Sequence, residues 1–473
     1  LRLVVDAGSL LETEEQLGLA HFAEHMAFNG TEDFEGNEII AFMESLGMRF
    51  GPDLNAYTSF DETTYILEVP TDDLEQMESG FHVLEQWATA IEFAPDEVDA
   101  ERGVILEEWR VGRGASARMR EEHLPVIFEG SRYAERLPIG TPEVIRNFER
   151  EVLVDYYETW YRPELMAIIA VGDFDTERVR DLIEEYFAPI EPQPGSPARP
   201  TFGVPGHDET LVSVATDPEA TQTRVSVYIK HEPEPFNTVG DYRRSIERSL
   251  YSIMLNNRLS EIAQDPDAPF LEAGAGRTRF VRAAEVNILT ALTEANGVSR
   301  GLDAVVREAL RTREYGFAES EFERAKRELE ASYRRAYEER SKTRSAGYAQ
   351  EYARHFLEEE AAPGIDFEYE LVTALLPEIS LDEVQAVADE YLGEANRVVT
   401  VSAPETDGAA IPDEAEILDV LEGARLSELE PYEATTTDRP LMSELPEPGS
   451  IVGETEREEI GVTEWQLSNG ARV

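Results

Sequence analysis

Two histidines and a glutamate stand inside an otherwise apolar stretch, residues 18–30 (GLAHFAEHMAFNG), and no other feature constrains the fold as strongly. In a helix, His21 and His25 lie one turn apart on the same face, with Glu24 beside them. The remaining side chains are mostly apolar, which is typical of a helix that is buried all round. Burying two imidazoles and a carboxylate together is costly unless a partner satisfies them. A metal ion would satisfy all three side chains.

The spacing H-x-x-E-H occurs in one class of zinc hydrolases, but a polar stripe on a surface helix would produce it too. A zinc site of this kind needs a third protein ligand, and two histidines with a glutamate form a known catalytic set. The chain contains no cysteine, so any further ligand must be a histidine or a carboxylate. The other histidines have no partners at ligand spacing, and we interpret them as surface or core residues: His82, His123, His207, His231 and His355.

A predicted helix at residues 95–112 (PDEVDAERGVILEEWRVG) offers carboxylates. A proline near its start and a glycine near its end mark its bounds. If Ile105 is the centre of the buried face, Glu101 and Glu108 fall within about 60° of it, whereas Glu107 points almost the opposite way. Glu101 and Glu108 are therefore the acids placed to face inward. The alternative is that both are solvent-exposed acids at the edge of the buried face, because glutamate is usually exposed.

Acidic residues outnumber basic ones by 98 to 42 in the 473 residues, a net charge of −56. They are spread along the chain, which predicts an acidic solvated surface. Such a surface repels nucleic acids and anionic membranes, so neither is expected as a partner. No apolar run reaches the length of a membrane span. A salt-rich habitat is a hypothesis that the charge suggests.

Composition and periodicity divide the chain into two large units. Both units end in the same order of elements, which is a helix, a turn and an apolar strand. Within the second unit we predict a single strand at residues 280–292 and a long helix at 319–357. Both ends of the chain fall in strand-like runs and look cut. The predicted division is a metal-binding domain at 1–188, a proline-rich linker at 189–206, a second domain without metal at 207–405, an acidic linker at 406–461 and the opening strand of a third domain at 462–473. The acidic linker could instead pack along the domains through residues 417–421.

The segments GLAHFAEHMAFNGT, LNAYTS and AERGVILEEW follow one another in this order, and with them the chain resembles the insulinase/pitrilysin family of zinc metallopeptidases. The similarity covers nearly the whole chain. The segments SRYAERLPIGT, WYRPELMAIIAVGDFD and WQLSNGARV are most similar to the large bacterial members built of two halves, which are commonly exported to the periplasm.

The resemblance implies an α+β fold. Each of two tandem domains would be a mostly antiparallel sheet packed with helices, and the two together would form one half of a clamshell that encloses a substrate chamber. The chain would correspond to the first half, without its first strand, followed by the linker and the opening strand of the second half. The missing C-terminal half of the same polypeptide would then be a partner of this chain.

The resemblance also implies roles for individual residues. His21, His25 and Glu108 correspond to the ligands of one Zn²⁺ per chain. Glu24 corresponds to the general base. Glu101 is grouped with it as a catalytic residue and corresponds to an acid near the metal that orients a ligand or tunes the site. The implied substrate-binding positions lie on one edge strand: Asn55, Ala56, Tyr57 and Thr58.

One departure from the family is the interval from His25 to Glu108. It spans 83 residues, which is longer than in several members. The extra residues fall in the loops at 48–53 and 70–74, so the ligand assignment is retained.

The function implied is zinc-dependent endopeptidase activity on peptides or small unfolded proteins enclosed in the chamber. Zinc would activate water and Glu24 would move its proton. Two alternatives are a catalytically silent family member that acts as a binding or assembly partner, and a fragment that is inactive without its second half. The presence of all four expected residues favours the enzyme over the silent member.

Overall fold

The computed structural model describes residues 1–406, 410–433, 442 and 449–473. By its internal contacts the chain divides into two units, Leu1–Tyr432 and Glu433–Val473. The first unit contains two sheets that are each packed with helices, and the second contains a hairpin. This mixture of helices with mostly antiparallel strands confirms the predicted α+β class.

The first sheet carries its strands in the order β2-β3-β1-β4, and all neighbours are antiparallel. The strands are β1 (Arg2–Val5), β2 (Leu54–Thr58), β3 (Thr63–Leu67) and β4 (Met166–Ile169). The helices in this part of the chain are α1 (Leu19–Met26), α2 (Glu38–Ser45), α3 (Leu74–Thr89), α4 (Pro95–Gly112), α5 (Ala115–Ile127), α6 (Pro142–Asn147), α7 (Arg150–Trp160) and α8 (Thr176–Phe187). Strand β2 therefore forms one edge of the sheet.

Helix α1 lies in the middle of the first core because its apolar side chains surround the helix. Leu19, Phe22 and Met26 are fully buried, as is Trp87 of α3. Burial of each such side chain stabilises the fold by about 1.5–3 kcal/mol. A helix whose apolar side chains are all buried holds its few polar side chains in fixed positions, which is what a metal site requires.

The second sheet has the strand order β5-β9-β6-β8-β7, and its only parallel pair among the described residues is β5 with β9. The strands are β5 (Leu211–Asp217), β6 (Thr223–His231), β7 (Glu272–Val281), β8 (Ala284–Thr293) and β9 (Arg397–Pro404). The helices around this sheet are α9 (Val239–Ala263), α10 (Val298–Tyr315), α11 (Glu319–Glu338), α12 (Ser345–Glu358), α13 (Ile365–Leu375) and α14 (Leu381–Ala386).

Two predicted elements of this region are wrong. The predicted strand at 280–292 contains most of β8, but it begins in the last two residues of β7 and runs through the turn, so the hairpin of β7 and β8 was not recognised. Strand β7 escapes notice because Gly274 and Gly276 interrupt any alternation of apolar residues. The long helix at 319–357 is two helices separated by a short 3₁₀ turn at Arg340–Lys342. Neither glycine nor proline marks this break, so local sequence gives no stop signal.

The acidic segment at 406–461 contains an ordered helix, α15 (Glu414–Leu426). Asp413 caps its start by accepting a hydrogen bond from the backbone of Glu416 at 3.0 Å. Ile417 and Leu421 are buried in the core of the second sheet. This part of the segment therefore packs through its apolar face, which is the alternative that the sequence left open. Residues 407–409, 434–441 and 443–448 of the same segment lie outside the described residues.

Helix α5 connects the first part of the chain to the second sheet. Arg118 donates two hydrogen bonds to the carboxylate of Asp217, at 2.6 and 2.7 Å. His123 lies between two serine hydroxyls of the second sheet, Ser213 at 2.8 Å and Ser402 at 2.9 Å. These contacts fasten α5 to the second sheet. The proline-rich segment 189–206 is held against the first part of the chain, because Arg199 lies 3.1 Å from Asp6 and 3.4 Å from Asp61.

The second unit contains an antiparallel hairpin of β10 (Ile451–Arg457) and β11 (Val462–Leu467). Its apolar side chains are largely exposed, among them Ile451, Ile460 and Val462. Among the helices of the described residues, none has both the length and the apolar character needed to cross a membrane.

Candidate active site

The start of α1 is fixed by a buried carboxylate. Gly18 precedes the helix with a φ of 95°, a conformation that favours glycine. Glu12 is fully buried and accepts hydrogen bonds from the backbone N–H groups of Gly18 at 3.0 Å and Ala20 at 2.8 Å. These are free N–H groups of the first turn, so Glu12 acts as a cap. Burial raises the pKa of Glu12 to about 8, against the opposing effect of these hydrogen bonds.

Three donor atoms converge where α1 faces α4. The Nε2 atoms of His21 and His25 are 3.2 Å apart. Oε2 of Glu108 lies 3.8 Å from Nε2 of His21 and 3.4 Å from Nε2 of His25. Ligand atoms placed about 2.0–2.1 Å from a tetrahedral zinc ion lie about 3.3 Å from one another. The donor types and the spacing of this triangle therefore fit zinc.

Glu101 links this triangle to the end of the motif. Its Oε1 lies 2.7 Å from Nδ1 of His25, and its Oε2 accepts a hydrogen bond from the side-chain amide of Asn29 at 2.6 Å. The carboxylate can only accept, so the ring N–H at Nδ1 donates. Once Nε2 has lost its proton, its lone pair is therefore directed to the triangle. Glu107, in contrast, pairs with Arg110 on the exposed side of α4.

The two site histidines differ in proton affinity. Burial and the neighbouring His25 lower the pKa of His21 to about 4. Burial also acts to lower the pKa of His25, but its hydrogen bonds to Glu101 and Glu108 outweigh this and raise the pKa to about 9. The hydrogen bond to His25 lowers the pKa of Glu108. Binding of a metal ion would therefore displace a proton from His25.

Glu24 points to the same space from the same helix. It is buried, and its Oε2 accepts a hydrogen bond from the hydroxyl of Thr58 at 2.7 Å. Burial raises the pKa of Glu24 to about 7, even though the hydrogen bond from Thr58 acts in the opposite direction. A carboxylate with this pKa can take up and release a proton near neutral pH, which is what a general base and acid must do.

The edge strand β2 borders the same cavity, whose volume is about 600 Å³. The side-chain oxygen of Asn55 accepts a hydrogen bond from the backbone N–H of Ala56 at 2.9 Å, so this edge group is paired within the chain. Tyr57 and Thr58 line the cavity with them. An extended peptide could add to this edge by main-chain hydrogen bonds.

The structure thus brings all nine sequence-predicted site residues to one cavity. Sequence reasoning missed Glu12, which caps α1, and Asn29, which holds Glu101. Asn29 lies within residues 18–30, about one helical turn after His25, and this spacing could have indicated that its side chain lies near the site. No comparable signal marks Glu12, because its contact with α1 depends on how the chain turns before the helix.

Comparison with known proteins places the chain in a family. The model described as Insulinase (Peptidase family M16) matches residues 1–131, and the model described as Peptidase M16 inactive domain matches residues 147–329. A relative from Arabidopsis thaliana, named zinc protease PQQL-like, is 34% identical over 475 residues; the match covers 100% of this chain and 47% of the relative.

Solved structures show the same relationship. The structure of the periplasmic protease PqqL from Escherichia coli matches with a TM-score of 0.86 and 25% identity, over 100% of this chain and 52% of that one. The structure of the first half of that protease matches with a TM-score of 0.85 and 25% identity, over 92% of this chain and 93% of that one. The chain spans about half the length of the full-length relatives that it matches. Its two matched segments and its fold show that the chain belongs to the insulinase family of peptidases, family M16.

Proposed function

We propose that this chain is the catalytic half of a zinc-dependent endopeptidase. The observation that carries the proposal is the convergence of His21, His25 and Glu108 with the buried Glu24 in one cavity beside an edge strand. Two relatives are named as zinc proteases, and these names support the same chemistry. The ligands of one zinc ion would be the two histidines and Glu108.

Zinc bound there would supply a Lewis acid that activates water and polarises a carbonyl group. The chain's own residues would carry out the proton transfers. Glu24 would accept the proton of the attacking water and later donate it to the amine nitrogen that leaves. Thr58 would hold the carboxylate of Glu24 in place, and Glu101 would orient the ring of His25.

Substrates would be peptides or unfolded segments. An extended chain can pair with the edge of β2, where Asn55 to Thr58 border the cavity, and main-chain pairing reads little of the substrate's sequence. The side-chain amide of Asn55 would have to release the N–H of Ala56 for this pairing to include it.

We further propose that a second half of the same polypeptide completes the enzyme. In support, the chain matches the first half of the Escherichia coli protease over most of both chains, and the complete protease is about twice as long. The two halves would close over the substrate. Export to the periplasm is proposed for a bacterial source, because the matching Escherichia coli protein is described as a periplasmic protease.

The test combines metal analysis with a peptide assay. Zinc content and cleavage of a quenched fluorescent peptide would be measured for this chain alone, and for the longer polypeptide that includes the proposed second half. One zinc per chain, with cleavage in the longer polypeptide, is the expected result. Zinc binding without cleavage in the longer polypeptide would point to the silent family member. Absence of stoichiometric zinc would overturn the proposal.

A further inference from the structure

A short turn joins the edge strand β2 to its neighbour β3, directly after Thr58. The turn comprises residues 59–62 and is closed by a hydrogen bond from the backbone N–H of Ser59 to the carbonyl of Glu62 at 2.8 Å. Thr58 is the last residue of β2, and its hydroxyl donates to the carboxylate of Glu24 at 2.7 Å. Because Thr58 leads directly into the turn, a shift of the turn would move this hydroxyl relative to the proposed general base.

The β2–β3 turn meets a turn of the second sheet. Arg282 lies in the two-residue connection between β7 and β8. Its guanidinium donates a hydrogen bond to the carboxylate of Glu62 at 2.9 Å and another to the carboxylate of Asp6, the residue that follows β1. Its Nε lies 4.0 Å from Oδ1 of Asp61. One side chain of the second sheet thus contacts two acids of the turn and one at the end of β1.

These three acids lie close together and are largely withdrawn from water. Asp61 is buried, and the side chain of Glu62 is only 21% exposed. Burial raises the pKa of Glu62, Arg282 opposes this rise, and the carboxylates of Asp61 and Asp6 add to it. Removal of one partner from a buried ion pair is costly because the charge left behind is unpaired. Without Arg282, repulsion among the three carboxylates would therefore displace the turn.

Other contacts hold the turn from the side of the first sheet. Tyr133 donates to Oδ2 of Asp61 at 2.7 Å, and Arg199 donates to the backbone carbonyl of Asp61 at 3.1 Å. The ring of Phe60 meets that of Tyr133 edge to face, with centroids 5.3 Å apart. Asp61 therefore keeps two partners when Arg282 is removed. We expect such a change to loosen the end of the turn at Glu62 without unfolding the sheet.

We infer that Arg282 is a positioning residue of the second sheet, which holds the β2–β3 turn and through it the Thr58 hydroxyl that orients Glu24. The inference rests on the proposed peptidase function for its effect on the reaction, whereas the contacts of Arg282 are a property of the fold. Among the described residues that line the cavity of the proposed ligands, all belong to the first part of the chain. The second sheet would thus act on the reaction only through the turn.

The first test measures the turn itself and needs no turnover. Hydrogen exchange of residues 54–63 would be followed by mass spectrometry in this chain and in Arg282→Gln. The variant should exchange these backbone N–H groups about 10-fold faster, because the segment opens locally more often, while α1 should exchange as before. Equal exchange with and without the substitution would overturn the inference.

Arg243→Gln is the matched control. Arg243 also pairs with two acids, Glu247 at 3.1 Å and Glu383 at 2.8 Å, but both lie among the helices around the second sheet. Its side chain is 25% exposed, against 19% for Arg282, so the two substitutions remove similar ion pairs. The control should leave the exchange of residues 54–63 unchanged.

The second test separates a route through Thr58 from a general loss of stability. Single-turnover cleavage at saturating peptide would be measured in the longer, zinc-loaded polypeptide. Arg282→Gln and Thr58→Val should each slow cleavage about 10-fold, because both misplace the carboxylate of Glu24. The double variant should also be about 10-fold slower, and not about 100-fold, since two residues that act through one contact are not additive. Arg282→Lys, which keeps the charge but not the planar fork, should be intermediate.

The possible outcomes distinguish the two proposals. An unchanged rate in Arg282→Gln, or a loss of about 100-fold in the double variant, would overturn the route through Thr58. Zinc content shows that each variant is folded; if Arg282→Gln binds no zinc, Glu62→Gln takes its place, because it weakens the same contact and leaves every arginine present. Failure of the unmutated longer polypeptide to cleave any peptide would count against the proposed peptidase function, and the exchange of residues 54–63 would still decide whether Arg282 holds the turn.

Discussion

The Nδ1 atom of His25 lies 2.7 Å from Oε1 of Glu101, and this contact joins the helix of two proposed ligands to the helix of the third. Each oxygen of the carboxylate has one partner, since Asn29 donates to the other at 2.6 Å. The orientation of the His25 ring therefore depends on an amide that is not itself a ligand.

Asn29→Ala should weaken zinc binding about 10-fold, because groups that orient a ligand contribute about 10- to 100-fold to metal affinity. The dissociation constant would be measured by competition with a chelator, and the Co²⁺ absorption spectrum would report the ligand geometry. Asn147→Ala is the control, since the amide of Asn147 bonds an exposed backbone carbonyl. An unchanged dissociation constant and spectrum in Asn29→Ala would contradict the proposed role.

Glu108→Gln should lower zinc affinity by more than about 100-fold, because it removes a charged ligand from the triangle and not merely an orienting group. Glu107→Gln is a matched control one residue away, as Glu107 pairs with Arg110 on the exposed side of α4. Metal content after dialysis against a weak chelator distinguishes the two variants. Similar zinc loss in both would show that the assignment of the helix face is wrong.

Glu24→Gln should abolish peptide hydrolysis while zinc remains bound. An amide of nearly the same shape keeps the packing but cannot take up the proton, and loss of a general base costs about 10²- to 10⁴-fold in rate. Single-turnover cleavage and zinc content would be measured on the same preparation of the longer polypeptide. Retained turnover would remove Glu24 from its proposed role.

Acid should destabilise the chain through His123. Burial lowers the pKa of His123 to about 4, below the unfolded value of about 6.5. The unfolded chain therefore binds the proton first, so this contribution to stability is complete above pH 6.5 and is lost as the pH falls towards 4. With solvent screening the loss is about 2 kcal/mol. Urea unfolding at several pH values should show it, and His123→Gln should show a smaller loss over the same range; equal losses would refute the prediction.

High salt should stabilise the chain, since 98 acidic residues against 42 basic ones repel one another at low ionic strength. The midpoint of thermal unfolding should rise by several degrees between about 0.1 and 1 M KCl. A midpoint that does not change would also remove the support for a salt-rich habitat.

Sequence reasoning succeeded where a periodic pattern and tertiary packing agree. Helix α4 begins and ends at the predicted Pro95 and Gly112. The face argument selected Glu108, which lies beside His25, over Glu107, although the side chain of Glu108 is still half exposed. It failed for β7, whose glycines carry no pattern, and for the break at Arg340–Lys342, which follows a strongly helical composition.

At the site, the sequence could not predict the hydrogen-bond partners of the predicted residues. The hydrogen bond from Thr58 to Glu24 joins an edge strand to a buried helix, and the cap that Glu12 provides depends on the turn before α1. Such contacts arise from how elements pack. Spacing along the chain can therefore indicate which residues bind a metal, but not which residues hold them in position.

Helix α5 follows the proposed ligand helix after two residues, yet its side chains are bound to β5 and β9 through Arg118 and His123. A shortened chain that ended in the segment 189–206 would lack the partners of α5 and leave its bonding groups exposed. We therefore expect the segment that holds the proposed ligands to be unstable when it is expressed alone. Recombination between relatives should preserve stability only if both sheets are exchanged together.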